Sequence, residues 1–229
     1  MATLYHHPFC PHSRFIRLAL AEMGLEPSMA EERPWDRRNE YLALNPAGTT
    51  PVLVESGLAL PGPCVIAEYL DETHGHALGH RRLMPASPAR RAEVRRLLDW
   101  FLAKFHEEVS AYLVTEKIFK RFMPPSLGGG VPDMSAVRAA RVNVRYHLQY
   151  IGHLTGCRPW LAGDDLTYAD LAAAAHLSAA DYLGDVPWDE DERARDWYAR
   201  MKARPAFRAL LADKAPGLAP ADHYTSLAF

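Results

Sequence analysis

The sequence predicts an α/β unit of order βαβαββα followed by an all-helical bundle. Three observations carry this. Short strand-like runs alternate with amphipathic runs over the first third of the chain. The composition turns to His, Gly, Arg and Pro between about Gly75 and Pro88, as interdomain linkers do. Beyond that point the long apolar patterns recur at helical spacing. The expected division is residues 1–79, a linker over 80–88, and residues 89–229.

Taken in order, Ala2 to His6 is a short strand, and Pro8, Pro11 and Ser13 mark a turn. Phe15, Ile16, Leu18, Ala19 and Leu20 then predict a helix that Gly24 ends, with Pro11 near its start, where a missing N–H costs nothing. A second strand is weaker, near Ser28 to Ala30. The polar stretch from Arg33 leads into a short helix ending at Leu44. Asn45-Pro46-Ala47-Gly48 is a turn, after which Thr50 to Val54 and Ser56 to Leu60 read as a hairpin. Pro63 opens a helix from Cys64 to His74 with Val65, Ile66, Tyr69 and Leu70 on one face.

In the second part, Val94, Leu97, Leu98, Phe101, Leu102, Phe105, Val109, Tyr112 and Leu113 predict one long core helix. Pro124 to Gly130 breaks the pattern, and a second long helix is expected from about Asp133 to Leu154. Thr167 with Asp170 three residues on forms a capping signal ahead of an alanine-rich run. Small residues there let that helix sit between neighbours. Two helices, near Glu190 to Ala203 and Pro205 to Ala212, precede an irregular tail.

Composition excludes several classes. With 229 residues, 48% hydrophobic and 24% charged, the chain is an ordinary globular protein. A formal charge of -2 provides no field for nucleic acid. There is no basic start followed by an apolar run and no 18-residue apolar stretch, so a cytoplasmic protein without a transmembrane segment is expected. The three cysteines, Cys10, Cys64 and Cys157, suit a reducing compartment; the last two read as packing residues. The eleven histidines carry no accompanying carboxylate pattern, so they read as solvated and no metal site is expected.

Four ordered motifs resemble the glutathione transferase family: Asn45 to Leu53, with Pro51 as the expected cis-proline; Ile66 to Glu72; Leu161-Ala162-Gly163 to Asp170; and Trp197-Tyr198 with Lys202 to Ala206. The resemblance spans nearly the whole chain and implies a thioredoxin-like N-terminal domain and a helical C-terminal domain. Fold alone does not imply activity. In members of the family that bind glutathione, a Glu-Ser pair at the start of the third helix holds the γ-glutamyl end. Here Gly62 and Pro63 occupy those positions, and Pro63 lacks an N–H as well. Charge-assisted bonds contribute roughly 1.5–3 kcal/mol each. Losing two or three lowers affinity by roughly two to four orders of magnitude or more. Only Thr50 and Pro51, with Gly62 and Pro63, then remain of the ligand site, and no cofactor is expected.

Cys10 is the opposing signal. At the head of the first helix it resembles the redox position of glutaredoxins and cysteine-type transferases, where a helix N-terminus favours thiolate. Ser13 and Tyr5 are the other positions at which the family activates a glutathione thiol. A glutathione-dependent transferase or thiol transferase is therefore the alternative reading.

Arg33-Pro34-Trp35-Asp36 and Glu116 to Phe122 mix aromatic and charged residues, and the chain ends on Leu227, Ala228 and Phe229. Ala2 to Tyr5, Arg33-Pro34-Trp35, Glu116 to Arg121 and the apolar C-terminus are similar to a branch of the family that acts in bacterial cell division by binding FtsZ. That resemblance implies a homodimer without catalytic activity that binds FtsZ polymers and influences constriction at the division site. Trp35, Glu116, Lys117 and Arg121 are the candidate contacts, and Leu227 and Phe229 are candidate contacts for FtsZ or another division protein.

Overall fold

The computed structural model describes residues 2–226. Its first part runs β1 (Thr3–His6), α1 (Pro11–Glu22), β2 (Ser28–Glu31), a 3-10 turn (Pro34–Asp36), α2 (Asn39–Leu44), β3 (Val52–Glu55), β4 (Leu58–Pro61) and α3 (Pro63–His74). The four strands form one sheet in the order β2-β1-β3-β4. β1 pairs parallel with β2, setting Leu4 opposite Met29, and antiparallel with β3, setting Leu4 opposite Leu53. The expected order βαβαββα is present.

Local chemistry accounts for these boundaries. Pro11 occupies the first turn of α1, and Gly24 follows its end at φ 68°, a left-handed position that suits glycine. The Thr50–Pro51 peptide is cis. The loop before it is braced by Asn45 Nδ2 and the Tyr41 hydroxyl, which both donate to the Thr49 carbonyl.

After a 3-10 segment (Gly75–Arg81), the helical part contains α4 (Pro88–Asp99), a π-helical stretch (Trp100–Ser110), α5 (Ala111–Lys117), α6 (Met134–Cys157), α7 (Tyr168–Tyr182), α8 (Glu192–Lys202) and α9 (Arg208–Leu211). Where one long α-helix was expected, the middle widens. The Ala111 N–H closes on the His106 carbonyl five residues back rather than four. An apolar pattern does not reveal this, because the buried face continues through Phe101, Phe105 and Val109.

All fifteen residues of α7 are buried, and it lies against α1 on one side and the π-helical stretch on the other. Its alanines permit that approach. Its start carries the expected capping box: Asp170 accepts from the Thr167 backbone and hydroxyl, and also from the Leu161 N–H and Trp197 Nε1. Those bonds oppose the upward push that full burial exerts on the carboxyl pKa.

The end of the described chain docks rather than frays. Tyr224 is fully buried, and its hydroxyl donates to the Leu210 carbonyl and accepts from Arg14 at 3.1 Å. Arg14 is itself fully buried. It also donates to the Pro8 carbonyl, Ser178 and Asp213, so one guanidinium joins α1, α7 and the tail. Among the described residues no helix is long and apolar enough to cross a membrane.

Candidate functional site

The two mixed aromatic and charged segments meet in space. Trp35, on the 3-10 turn after β2, has its ring centroid 5.1 Å from that of Phe119, just beyond α5. His7 packs on both, 5.5 Å from Trp35 and 4.7 Å from Phe119. Beneath them a separate hydrophobic cluster holds Phe9, Val114, Ile118, Tyr182 and Tyr224, with Phe119 and Phe122 packed onto it. The face thus has an aromatic floor drawn from both parts of the chain and from the tail. A pocket of about 240 Å³ opens there, with Arg33, Trp35, Phe122 and Lys214 on its wall.

The histidine in this floor is neutral. Burial first, and then the charges of His6, Arg33 and Arg14, hold the His7 pKa down to about 3. Its Nδ1 accepts the Phe9 N–H at 3.2 Å, a bond that requires the unprotonated nitrogen.

The structure separates the expected charged residues at the end of α5 and just beyond it. Arg121 is exposed and donates to the Lys117 and Gly217 carbonyls. Glu116 instead is buried, accepting the Asp133 N–H at 2.6 Å and pairing with Lys120. Lys117 bonds to the Leu183 carbonyl and to buried Asp185 at 2.6 Å. Both are committed to internal bonds that tie α5 to the α6 and α7 ends, which a charge run in a sequence does not disclose. Leu227 and Phe229 lie outside the described residues.

The residues expected to be what is left of a ligand site can also be placed. Gly62 caps α3 at φ 92° with no side-chain capping bond, and Pro63 fills the first helical position. Neither lines the pocket that Cys10 lines. That pocket, of about 170 Å³, is walled by Cys10, His12, Thr50, His106, Thr115 and Phe119. Cys10 sits at the N-cap of α1, is 9% exposed, and its Sγ donates to the Thr50 carbonyl at 3.5 Å. Ser13 is fully buried and accepts the His7 N–H at 3.4 Å, so its hydroxyl does not reach the cleft. Tyr5 lies on β1 with its ring beside Tyr41. The three candidate thiol-activating residues are not brought to one open site.

Two further expectations are corrected. Cys64 and Cys157 are exposed rather than packed in the core. The histidines are not uniformly solvated: His6, His7, His147 and His176 are buried. Moreover, His12, His106 and His176 converge, each presenting a ring nitrogen within 4.8 Å of the others. They come from α1, the π-helical stretch and α7, so no sequence spacing signals them.

Residues 9–73 match the family described as glutathione S-transferase, N-terminal domain. Over 231 aligned residues, covering 99% of this chain and 98% of the relative, the sequence is 46% identical to FtsZ-localized protein A of Caulobacter vibrioides. The chain belongs to the glutathione S-transferase family. Among solved structures of the family, a glutathione S-transferase from Sinorhizobium meliloti 1021 is 50% identical with a TM-score of 0.98 and full coverage of both chains. FzlA from C. crescentus is 45% identical with a TM-score of 0.90, covering 100% of this chain and 99% of that one. Within the glutathione S-transferase family, then, this chain is similar along its whole length to a protein named for its localization with FtsZ.

Proposed function

We propose that this chain is a noncatalytic member of the family that associates with FtsZ polymers at the division site and regulates constriction. The observation that carries the reading is the convergence of Arg33-Pro34-Trp35 and the Phe119–Phe122 segment on one face, in a chain 46% identical to FtsZ-localized protein A. Trp and Arg are the residues most enriched among binding anchors, and Trp35 and Arg121 are the anchors here. The pocket beside Trp35, whose wall includes Arg33, Lys214, Glu31 and Phe122, suits a peptide that combines apolar and acidic side chains. Glu116 and Lys117 support the face by fixing α5 beneath it.

The reading includes a homodimer. Exposed Leu58 on β4 and Val65 on α3 leave apolar surface on the N-terminal part away from the aromatic face. A two-fold pair would present two copies of that face and bridge filaments by multivalency.

Co-sedimentation with GTP-assembled FtsZ at physiological salt tests the association. Pelleting that rises with polymer and saturates supports it, and no pelleting above background contradicts it. A glutathione-dependent thiol transferase is the second reading, favoured by the place of Cys10 on the wall of a cleft. Clear one-site binding of glutathione would support that reading against the first.

A further inference from the structure

We propose that His12, His106 and His176 form a binding site for one divalent transition-metal ion of the zinc type. The inference does not depend on FtsZ association, because none of its three histidines is among the residues named for that face and its readout is different.

Three features build the site. The first is convergence: one ring nitrogen from each histidine lies within 4.8 Å of the other two. Three imidazoles around a tetrahedral ion at about 2.0–2.1 Å hold their nitrogens about 3.4 Å apart. Loading therefore draws the rings together by roughly 1 Å, a side-chain adjustment. Their ring centroids already stand 4.3 to 5.6 Å apart.

The second is an orphaned atom. His176 is fully buried, and its Nε2 has no hydrogen-bond partner among the described residues, although buried polar atoms are nearly always paired. An ion at the centre of the cluster would give that lone pair a partner.

The third is the way one nitrogen of each ring is held. His12 Nε2 lies 2.9 Å from the Leu102 carbonyl, which can only accept, so the proton is on Nε2 and Nδ1 carries the lone pair. His106 Nδ1 and His176 Nδ1 both contact the Ser110 hydroxyl, at 3.1 and 2.8 Å. With Ser110 accepting from both, the lone pair of each ring is on its Nε2. Metal-binding histidines characteristically anchor the second nitrogen in this way, which fixes tautomer and ring orientation.

The π-helical stretch supplies Leu102, His106 and Ser110 together. Wide turns of this kind are rare and are frequent at functional sites. His12 and His106 also line the pocket of about 170 Å³, so the fourth coordination position faces a space able to hold water or a small anion. Three neutral imidazoles with an open position suit zinc, and also cobalt as its spectroscopic substitute.

The test is a cobalt(II) titration of the untagged full-length chain after dialysis against chelator, followed by visible absorption and back-titration with zinc. The account predicts one equivalent of cobalt, the intense bands of a four-coordinate site, and bleaching by zinc. His106→Gln and His12→Asn, each verified as folded by circular dichroism, abolish the bands, and Ser110→Ala weakens binding roughly 10- to 100-fold. A variant with His74, His76 and His80 replaced keeps them. The proposal is overturned if the folded wild type gives no saturable four-coordinate spectrum, or if the spectrum survives both His106→Gln and His12→Asn.

Discussion

The rings of Trp35 and Phe119 lie 5.1 Å apart, although one follows the second strand and the other the fifth helix. That contact joins two segments that the sequence shows as separate mixed patches, and it gives the proposed FtsZ-binding face its centre. Trp35→Ala removes the largest half-buried anchor on the face and is expected to weaken FtsZ binding at least about 10-fold. Because the residue is only partly covered, the cost in stability is about 1–2 kcal/mol. Binding isotherms and urea denaturation of the same variant separate the two effects.

The buried Arg14 makes the tail part of the fold. Its partner Asp213 is 12% exposed and also holds Arg17 at 2.8 Å. Asp213→Ala leaves a buried guanidinium without its counter-charge and is expected to cost about 3 kcal/mol. Tyr224→Phe, which removes one neutral partner, is expected to cost about 1 kcal/mol. Urea midpoints of the two variants check the order.

Asp170 accepts four bonds at the start of the fully buried α7. Asp170→Ala strands the Leu161 and Thr167 amides and the Trp197 indole, and is expected to destabilise the chain by about 3 kcal/mol or more. Asp170→Asn retains part of the acceptor set and is expected to lose less. Thermal unfolding followed by tryptophan fluorescence reads both.

Acid weakens the fold through β1. Burial, the largest cause for each, lowers the His6 pKa to about 4 and the His7 pKa to about 3, from 6.5. Between 6.5 and those values the unfolded chain binds more protons than the folded one, so stability rises with pH. The contribution is complete above about pH 6.5 and is lost as pH falls towards 4 and 3. Urea midpoints between pH 7.5 and 4.5 are expected to fall, with a shallower slope in His7→Phe.

If the chain is noncatalytic as proposed, glutathione is expected to show no saturable heat at millimolar concentration in calorimetry, since the positions that the family resemblance assigns to its γ-glutamyl end hold Gly62 and Pro63. One-site binding in that range would restore the glutathione-dependent reading.

Much of the fold was legible in the sequence because it is written locally. Pro11, Gly24, the turn at Asn45 to Gly48, and the Thr167–Asp170 box each fix an element boundary through its own backbone chemistry. The start of α3 at Gly62 and Pro63 was legible for the same reason. What was not legible depends on distant residues. Glu116 and Lys117 look like surface charges until Asp133 and Asp185 take them up. His12, His106 and His176 look solvated until three helices bring them together. The π-helical widening leaves the apolar period intact, so it carries no signal of its own.

Co-sedimentation of the wild type and Trp35→Ala, side by side, with FtsZ assembled in GTP tests the central claim most directly. The account predicts that the wild type pellets in proportion to polymer and saturates, while the folded Trp35→Ala chain stays largely in the supernatant. A wild type that remains soluble at every polymer concentration, or a variant that pellets equally well, would contradict it.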